Sequence, residues 1–220
     1  VCKLLGWLLV TIPTLRAPRR DATENRAALI AAAKVVLNTN PDASLESIAA
    51  EAGLSRRAVY GHFASRDDLM RELVAIGAER VATALGSITH ENPLVRIALI
   101  ASGLWHEVEN IRVMAVFTVR GPLKHHTDEA LRPLRQGVLG AIHAGQAEGG
   151  IRPDIEAPRL ARLMEDAMFA VLEESTSYAI PIENGHRLIM LNVLATIGLG
   201  WRDASEFIDA HPELAWKAAS

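Results

Sequence analysis

Apolar residues recur at helical spacing along most of the chain, and no stretch shows the strict alternation that a half-buried strand requires. Leu29, Ile30, Ala33, Val36 and Leu37 form one stripe. They predict a helix from about Ala22, with Asp21 as its cap, that breaks at N-T-N-P-D over 38–42. Leu45, Ile48 and Ala49 mark a second, short helix, and Val59 and Phe63 the inner face of a third. Ser65 caps a fourth with Asp67 and Asp68 in its first turn, and Leu69, Leu73, Ile76 and Val81 carry an apolar face to about Leu85.

Beyond Asn92 the pattern continues as amphipathic or wholly apolar segments with short breaks. These run from Pro93 to about Glu109, from Ile111 to Val119, and from Asp128 to about Glu148, where Pro133 marks an alternative start. Longer ones follow from about Pro158 to Tyr178 and from about Asn184 to Trp201, then a short one after Ala204. The expected fold class is all-α.

The most informative stretch is Ser44 to Phe63, S-L-E-S-I-A-A-E-A-G-L-S-R-R-A-V-Y-G-H-F. Ser44 is a good N-cap, although Ser47 stands where a capping box has Glu, so only half of that motif is present. Ala52-Gly53-Leu54 suits a tight turn between crossed helices, and Ser55 caps the second of them. That helix presents Arg56, Arg57, Tyr60 and His62 outward, the dress of a helix that enters a DNA groove.

Residues 44–69, with I-A-x-x-A-G-L-S, V-Y-x-H-F and S-R-D-D-L, resemble the DNA-binding module of the TetR family of transcriptional regulators. The family's usual form is close to I-A-x-x-A-G-V-S-x-x-T-L-Y-x-H-F-x-S-K-x-x-L. Ala58 replaces the frequent Thr and removes one hydroxyl, while Arg66 replaces the usual Lys and keeps its charge. The resemblance implies a helix-turn-helix domain over 21–68, followed over 69–220 by a larger helical domain for effector binding and dimerisation. Arg56 and Arg57, at the start of the reading helix, are expected to meet base edges, and Ser44, Tyr60, His62 and Arg66 to hold phosphates, with Ser55 among the DNA-contacting positions.

Composition refines this picture. The net charge of −3 is unusual for a DNA binder, but residues 16–71 carry nine Arg and Lys against seven Asp and Glu, whereas thirteen face nineteen from Glu72 onward. A local patch, not a global field, must therefore attract phosphate. The one cysteine, Cys2, excludes an internal disulfide framework and suits the cytoplasm. Residues 1–20 resemble a signal-peptide core without its cleavage site, and their apolar run falls well short of the ~20 residues of a membrane span. They are read as a disordered extension, and no membrane partner is expected.

The segment near 184–201 is apolar nearly all round through Leu188, Met190, Leu191, Val193, Leu194, Ile197 and Leu199, so it needs cover on two sides. The resemblance implies the same arrangement: a homodimer through the helices near 158–178 and 184–201, packed as a four-helix bundle. Such a dimer binds double-stranded operator DNA as an inverted repeat, with reading helices roughly 34 to 36 Å apart. A small-molecule effector that favours a wider spacing would release it. The resemblance points to effector binding among helices that here contain Trp105, His106, Met114, Phe117, Met168 and Phe169, a mostly apolar set with His106 as its polar contact.

Candidates for other chemistry are weaker. His125-His126 with Asp128 lack further ligands at metal spacing, and as neighbours in sequence the two histidines are expected to point apart. His106-Glu107 do not face each other as an acid and base would, and Gly149-Gly150 lacks the Lys-Ser/Thr of a phosphate loop. No cofactor, no metal and no catalysis are expected. The alternatives are an architectural DNA binder without an effector and, more remotely, a helical enzyme.

Overall fold

The computed structural model describes residues 18–108, 115–116, 125–178 and 180–216, with side chains from residue 22 onward. The helices are α1 (Pro18–Thr39), α2 (Leu45–Glu51), α3 (Arg56–His62), α4 (Arg66–Gly86), α5 (Pro93–Glu107), α6 (His125–Ala147), α7 (Ala157–Ser177), α8 (Ile182–Thr196) and α9 (Trp201–Ala210), closed by a 3-10 turn at Pro212–Leu214. The fold is all-α among the described residues.

Two hydrophobic cores divide the chain. Leu29, Leu37, Ile48, Val59, Phe63 and Leu69 join α1, α2, α3 and the first turns of α4. Ile97, Trp105, Ile142, Leu160, Leu172 and Leu194 lie in the core that joins α5 to α9. α4 belongs to both, through Leu69, Met70 and Leu73 at one end and Leu85 at the other, with Val81 packed against the second core.

Local signals set the helix starts. Ser44, Ser55 and Ser65 each accept a backbone N–H three residues on, from Ser47, Ala58 and Asp68 at 3.1, 3.2 and 3.1 Å. Asn92 caps α5 by accepting from Leu94 at 2.9 Å, ahead of Pro93 at the first helical position.

Several boundaries differ from the pattern. α1 begins at Pro18, so Asp21 lies inside it and is not its cap. α6 starts at His125 and runs through Pro133, which is exposed together with Glu129, whose carbonyl loses its helical partner and can meet water instead. α8 stops at Thr196 and not at Trp201, because Gly198 turns the chain at φ 121°. Ile76, expected on the inner face of α4, is 38% exposed. The short helix expected over 111–119 lies outside the described residues except for 115–116.

The largest correction concerns the cover of α8. Met190, Val193, Leu194 and Ile197 are buried within one chain, because α5, α7 and α9, the last with Ala204 and Ile208 buried, all pack against α8. A second copy is not needed to bury Leu194. The large apolar residues left at the surface of α7 and α8 are Leu163 and Leu188, at 43% and 39%, together with Ile182 in the first turn of α8.

Candidate functional site

In the reader, Gly53 takes φ 68° in the turn between α2 and α3, a left-handed value that side-chain-bearing residues adopt at a cost. Val59 and Phe63 are buried against α1 and α4, so the opposite side of α3 is presented to solvent. Arg56, Arg57 and Tyr60 are exposed there and His62 is half-buried.

Glu46, on α2, was not singled out by the sequence. Its carboxylate accepts the Tyr60 hydroxyl at 2.9 Å and lies 3.4 Å from the Arg56 guanidinium, which itself sits 5.7 Å over the Tyr60 ring. The backbone N–H of Glu46 itself, then Tyr60, then Arg56 hold this carboxyl below its usual range.

Arg66, expected to hold a phosphate, is engaged here within the protein. Its Nε donates to the Ala43 carbonyl at 2.9 Å and its Nη2 to the Pro41 carbonyl, which fastens the loop between α1 and α2. Those carbonyls lie in a turn with no ladder to satisfy them, and a planar guanidinium reaches both at once.

At the other end of α4 a cavity of about 300 Å³ opens between α4, α5, α6 and α7. Leu104, Leu131, Leu134, Met164, Met168 and Phe169 are among its walls. A smaller space of about 110 Å³ shares Val81, Leu104, Leu131 and Phe169 with it and extends to Lys34 on α1. The exposed lining residues of the larger cavity, among them Asp128, Arg132, Gln136 and Arg162, all come from α6 and α7, which marks that side as its mouth.

A charge clamp crosses the mouth. Arg135 donates to Glu165 from Nη2 at 2.7 Å and from Nε at 3.1 Å, and to Asp128 from Nη1 at 2.9 Å. The Glu165 hydrogen bonds are the main reason the Arg135 guanidinium is held still more firmly in its charged form.

The structure divides the sequence-predicted pocket residues. Met168 and Phe169 line the cavity, while Met114 and Phe117 lie outside the described residues. Trp105 and His106 are on another side of α5. Trp105 is fully buried against Gly185 and donates its Nε1–H to the Ile182 carbonyl at 3.1 Å. His106 stacks on Trp216 at 4.6 Å and lies 5.3 Å from His186. His186 is 2% exposed and sits 2.8 Å from the Ser102 hydroxyl. Burial, and secondarily His106, push its imidazole down to about 4.

The other candidates resolve simply. The His125 and His126 rings do not point apart as expected but lie together, with centroids 3.9 Å apart and planes tilted by 43°. Among the described residues no group of three His, Cys, Asp or Glu is arranged to hold a metal ion. Glu107 pairs with Arg80 at 3.1 Å. No helix among the described residues is long and apolar enough to cross a membrane.

Residues 29–73, which span α1 to the first turns of α4, match the family model described as bacterial regulatory proteins, tetR family. Residues 29–73 are thus a TetR-type DNA-binding domain. Solved structures share the fold of the chain over most of their length. RolR in complex with resorcinol is 16% identical with a TM-score of 0.61, over 91% of this chain and 100% of that one. FadR from Bacillus subtilis in complex with stearoyl-CoA is 15% identical with a TM-score of 0.62, over 78% and 97%. LfrR from Mycobacterium smegmatis in complex with proflavine is 18% identical with a TM-score of 0.60, over 82% and 99%. At these identities the likeness concerns the fold alone. No curated protein matches the chain. The matched residues assign DNA binding to the α1–α4 domain.

Proposed function

We propose that the protein is a dimeric repressor that binds an inverted-repeat operator and is released by a small, largely hydrophobic effector. The observation that carries this reading is α4. One helix belongs to the core of the DNA reader and also walls the apolar cavity, so a ligand in the cavity acts on an element that the reader is built upon. On the DNA side, Arg56 and Arg57 contact base edges, while Ser44, Ser55, Tyr60 and His62 hold phosphates.

The effector sits in the space between α4, α5, α6 and α7. Its volume is at the lower end of the ~300–1,000 Å³ of small-molecule sites. The wall residues favour an apolar body, and the polar contact comes from the Arg135–Glu165 clamp instead of His106, which faces away. Resorcinol, proflavine and stearoyl-CoA, bound by proteins of the same fold, are consistent with such a ligand. Two copies meet through α7 and α8, where Leu163 and Leu188 are exposed.

A thermal-shift screen of small apolar compounds, followed by displacement of labelled operator DNA, tests the reading. A compound that releases the parent protein should fail to release Ala161→Trp, whose indole fills the cavity, while ligand-free DNA affinity stays intact. Equal release of both proteins would put the sensor elsewhere. DNA binding that no compound affects would instead favour an architectural protein.

A further inference from the structure

α3 has seven residues, and Val59 is the one that is fully buried, followed by Phe63 at its C-cap. One short apolar stripe fixes the side on which a helix packs, but it fixes the angle about that stripe poorly. The N-terminal end is tied by the Ser55 cap and the Gly53 turn. The C-terminal end depends on a side chain from outside the helix-turn-helix. Arg26, on α1, donates from Nη1 to the His62 carbonyl at 3.1 Å, at the end of α3 where carbonyls lack helical partners. Its guanidinium lies 4.5 Å over the Phe63 ring. Its Nε donates to Glu72 Oε1 at 3.0 Å, and its Nη2 to the other oxygen of the same carboxylate.

We propose that Arg26 is a positioning residue for DNA recognition: its guanidinium locks the end of the reading helix to Glu72 of α4, so that the angle of α3 follows that of α4. A planar fork with five donors makes the two-point contact with the carboxylate, the carbonyl bond and the ring contact together, whereas a lysine ammonium makes one of them well. The carboxylate belongs to α4 and the carbonyl and ring to the end of α3, so removing the fork frees α3 from α4 without opening the Val59 core. The inference rests on α3 reading bases, as proposed above.

The test uses the full chain, an operator selected from a random pool, and a random-sequence duplex. Arg26→Lys, Arg26→Gln and Glu72→Gln are compared with Arg57→Ala, and a melting curve of each variant is recorded beside the two affinities. Arg26→Lys and Arg26→Gln should each weaken operator binding roughly tenfold, the scale of one lost base contact, with affinity for random DNA unchanged. Glu72→Gln should move the same ratio in the same direction, and the double variant Arg26→Gln/Glu72→Gln should be no worse than Arg26→Gln. Three results overturn the proposal: operator binding by Arg26→Lys at the parent level, equal losses on operator and random DNA, or an additive double variant. If Arg26→Gln does not fold, Glu72→Gln with an unchanged operator-to-random ratio overturns it as well. An unchanged ratio in Arg57→Ala would refute the base-reading role of α3 itself, which separates the two failures.

Discussion

Replacing Gly185 by Ala tests how the C-terminal domain is held together. In most helices this exchange stabilises, because Ala gains about 1 kcal/mol over Gly from helix propensity. At position 185 the added Cβ would run into the indole of Trp105, whose side chain has no exposed surface and cannot swing into solvent. Moving the ring has two costs. Overpacking a tight core costs typically ~1–3 kcal/mol. Breaking the bond from Trp105 Nε1 to the Ile182 carbonyl strands a buried donor, for a further ~1–3 kcal/mol. Against the propensity gain, the net expectation is a loss of about 3 kcal/mol. Gly140, on the exposed side of α6 with nothing near its missing Cβ, supplies the control, and Gly140→Ala should stabilise by up to ~1 kcal/mol. Urea unfolding followed by far-ultraviolet circular dichroism measures both. A Gly185→Ala protein as stable as the parent, with Gly140→Ala behaving as expected, would refute the claim that the Trp105 contact with α8 is rigid.

Other consequences can be checked in the same way. His186 has a folded-state pKa of about 4 against an ordinary 6.5, so the unfolded chain binds its proton first. Stability should therefore be complete above about pH 6.5 and fall as the pH drops towards about 4, by at most roughly 3 kcal/mol, and His186→Gln should flatten that slope in urea titrations. A parent protein equally stable at both ends would contradict it. Glu46→Gln removes the carboxylate that holds Arg56, the proposed base contact, so it should tighten binding to operator more than to random DNA; an equal gain on both would show that Arg56 meets phosphate instead. Leu188→Arg, at the surface of α8, should dissociate the proposed dimer in sedimentation while the helical signal persists. Leu194→Arg buries a charge inside one chain and should instead unfold it, at a cost of about 3–5 kcal/mol, so a folded monomer from Leu194→Arg would mean that α8 is covered by a partner after all.

The reader was legible in the sequence because local chemistry specifies its parts. A serine that caps a helix acts three residues away, and Gly53 turns the chain where it stands, so both can be read without knowing the fold. The partners of Arg66 could not be read from the sequence, because the Ala43 and Pro41 carbonyls lie more than twenty residues upstream and a charge beside a DNA-binding motif looks the same whether it meets phosphate or backbone. Arg26 and Glu72 are 46 residues apart and gave no signal of their own. The pocket was half legible for a related reason. α5 is buried on nearly every side, at Val95, Ile97, Ala98, Ile100, Ala101, Leu104 and Trp105, so its periodicity could not tell which residues face the cavity and which face α8. Leu104 took the first role and Trp105 the second. The cover of α8 was misjudged because Gly198 ends the helix early and folds α9 back onto it, which a run of apolar residues to Trp201 conceals.

The double membership of α4 also bounds what the proposed effector would have to do. Leu73 in the reader core and Leu85 beside the cavity are twelve positions apart, or about 18 Å along the helix axis at 1.5 Å per residue. A tilt of α4 that changes the shape of the cavity is therefore felt at the base of the reader, on the side where Glu72 meets Arg26. The ligand shifts this equilibrium only by the difference between its affinities for the two tilts, however tightly it binds. For an apolar ligand that difference is a difference in buried area. At about 25 cal/mol per Å², an extra ~100 Å² buried in the released form supplies about 2.5 kcal/mol. Couplings of about 1–3 kcal/mol are typical of allosteric proteins, so a change of a few side-chain contacts at Leu104, Leu131 and Phe169 is enough, and the cavity need not be remade.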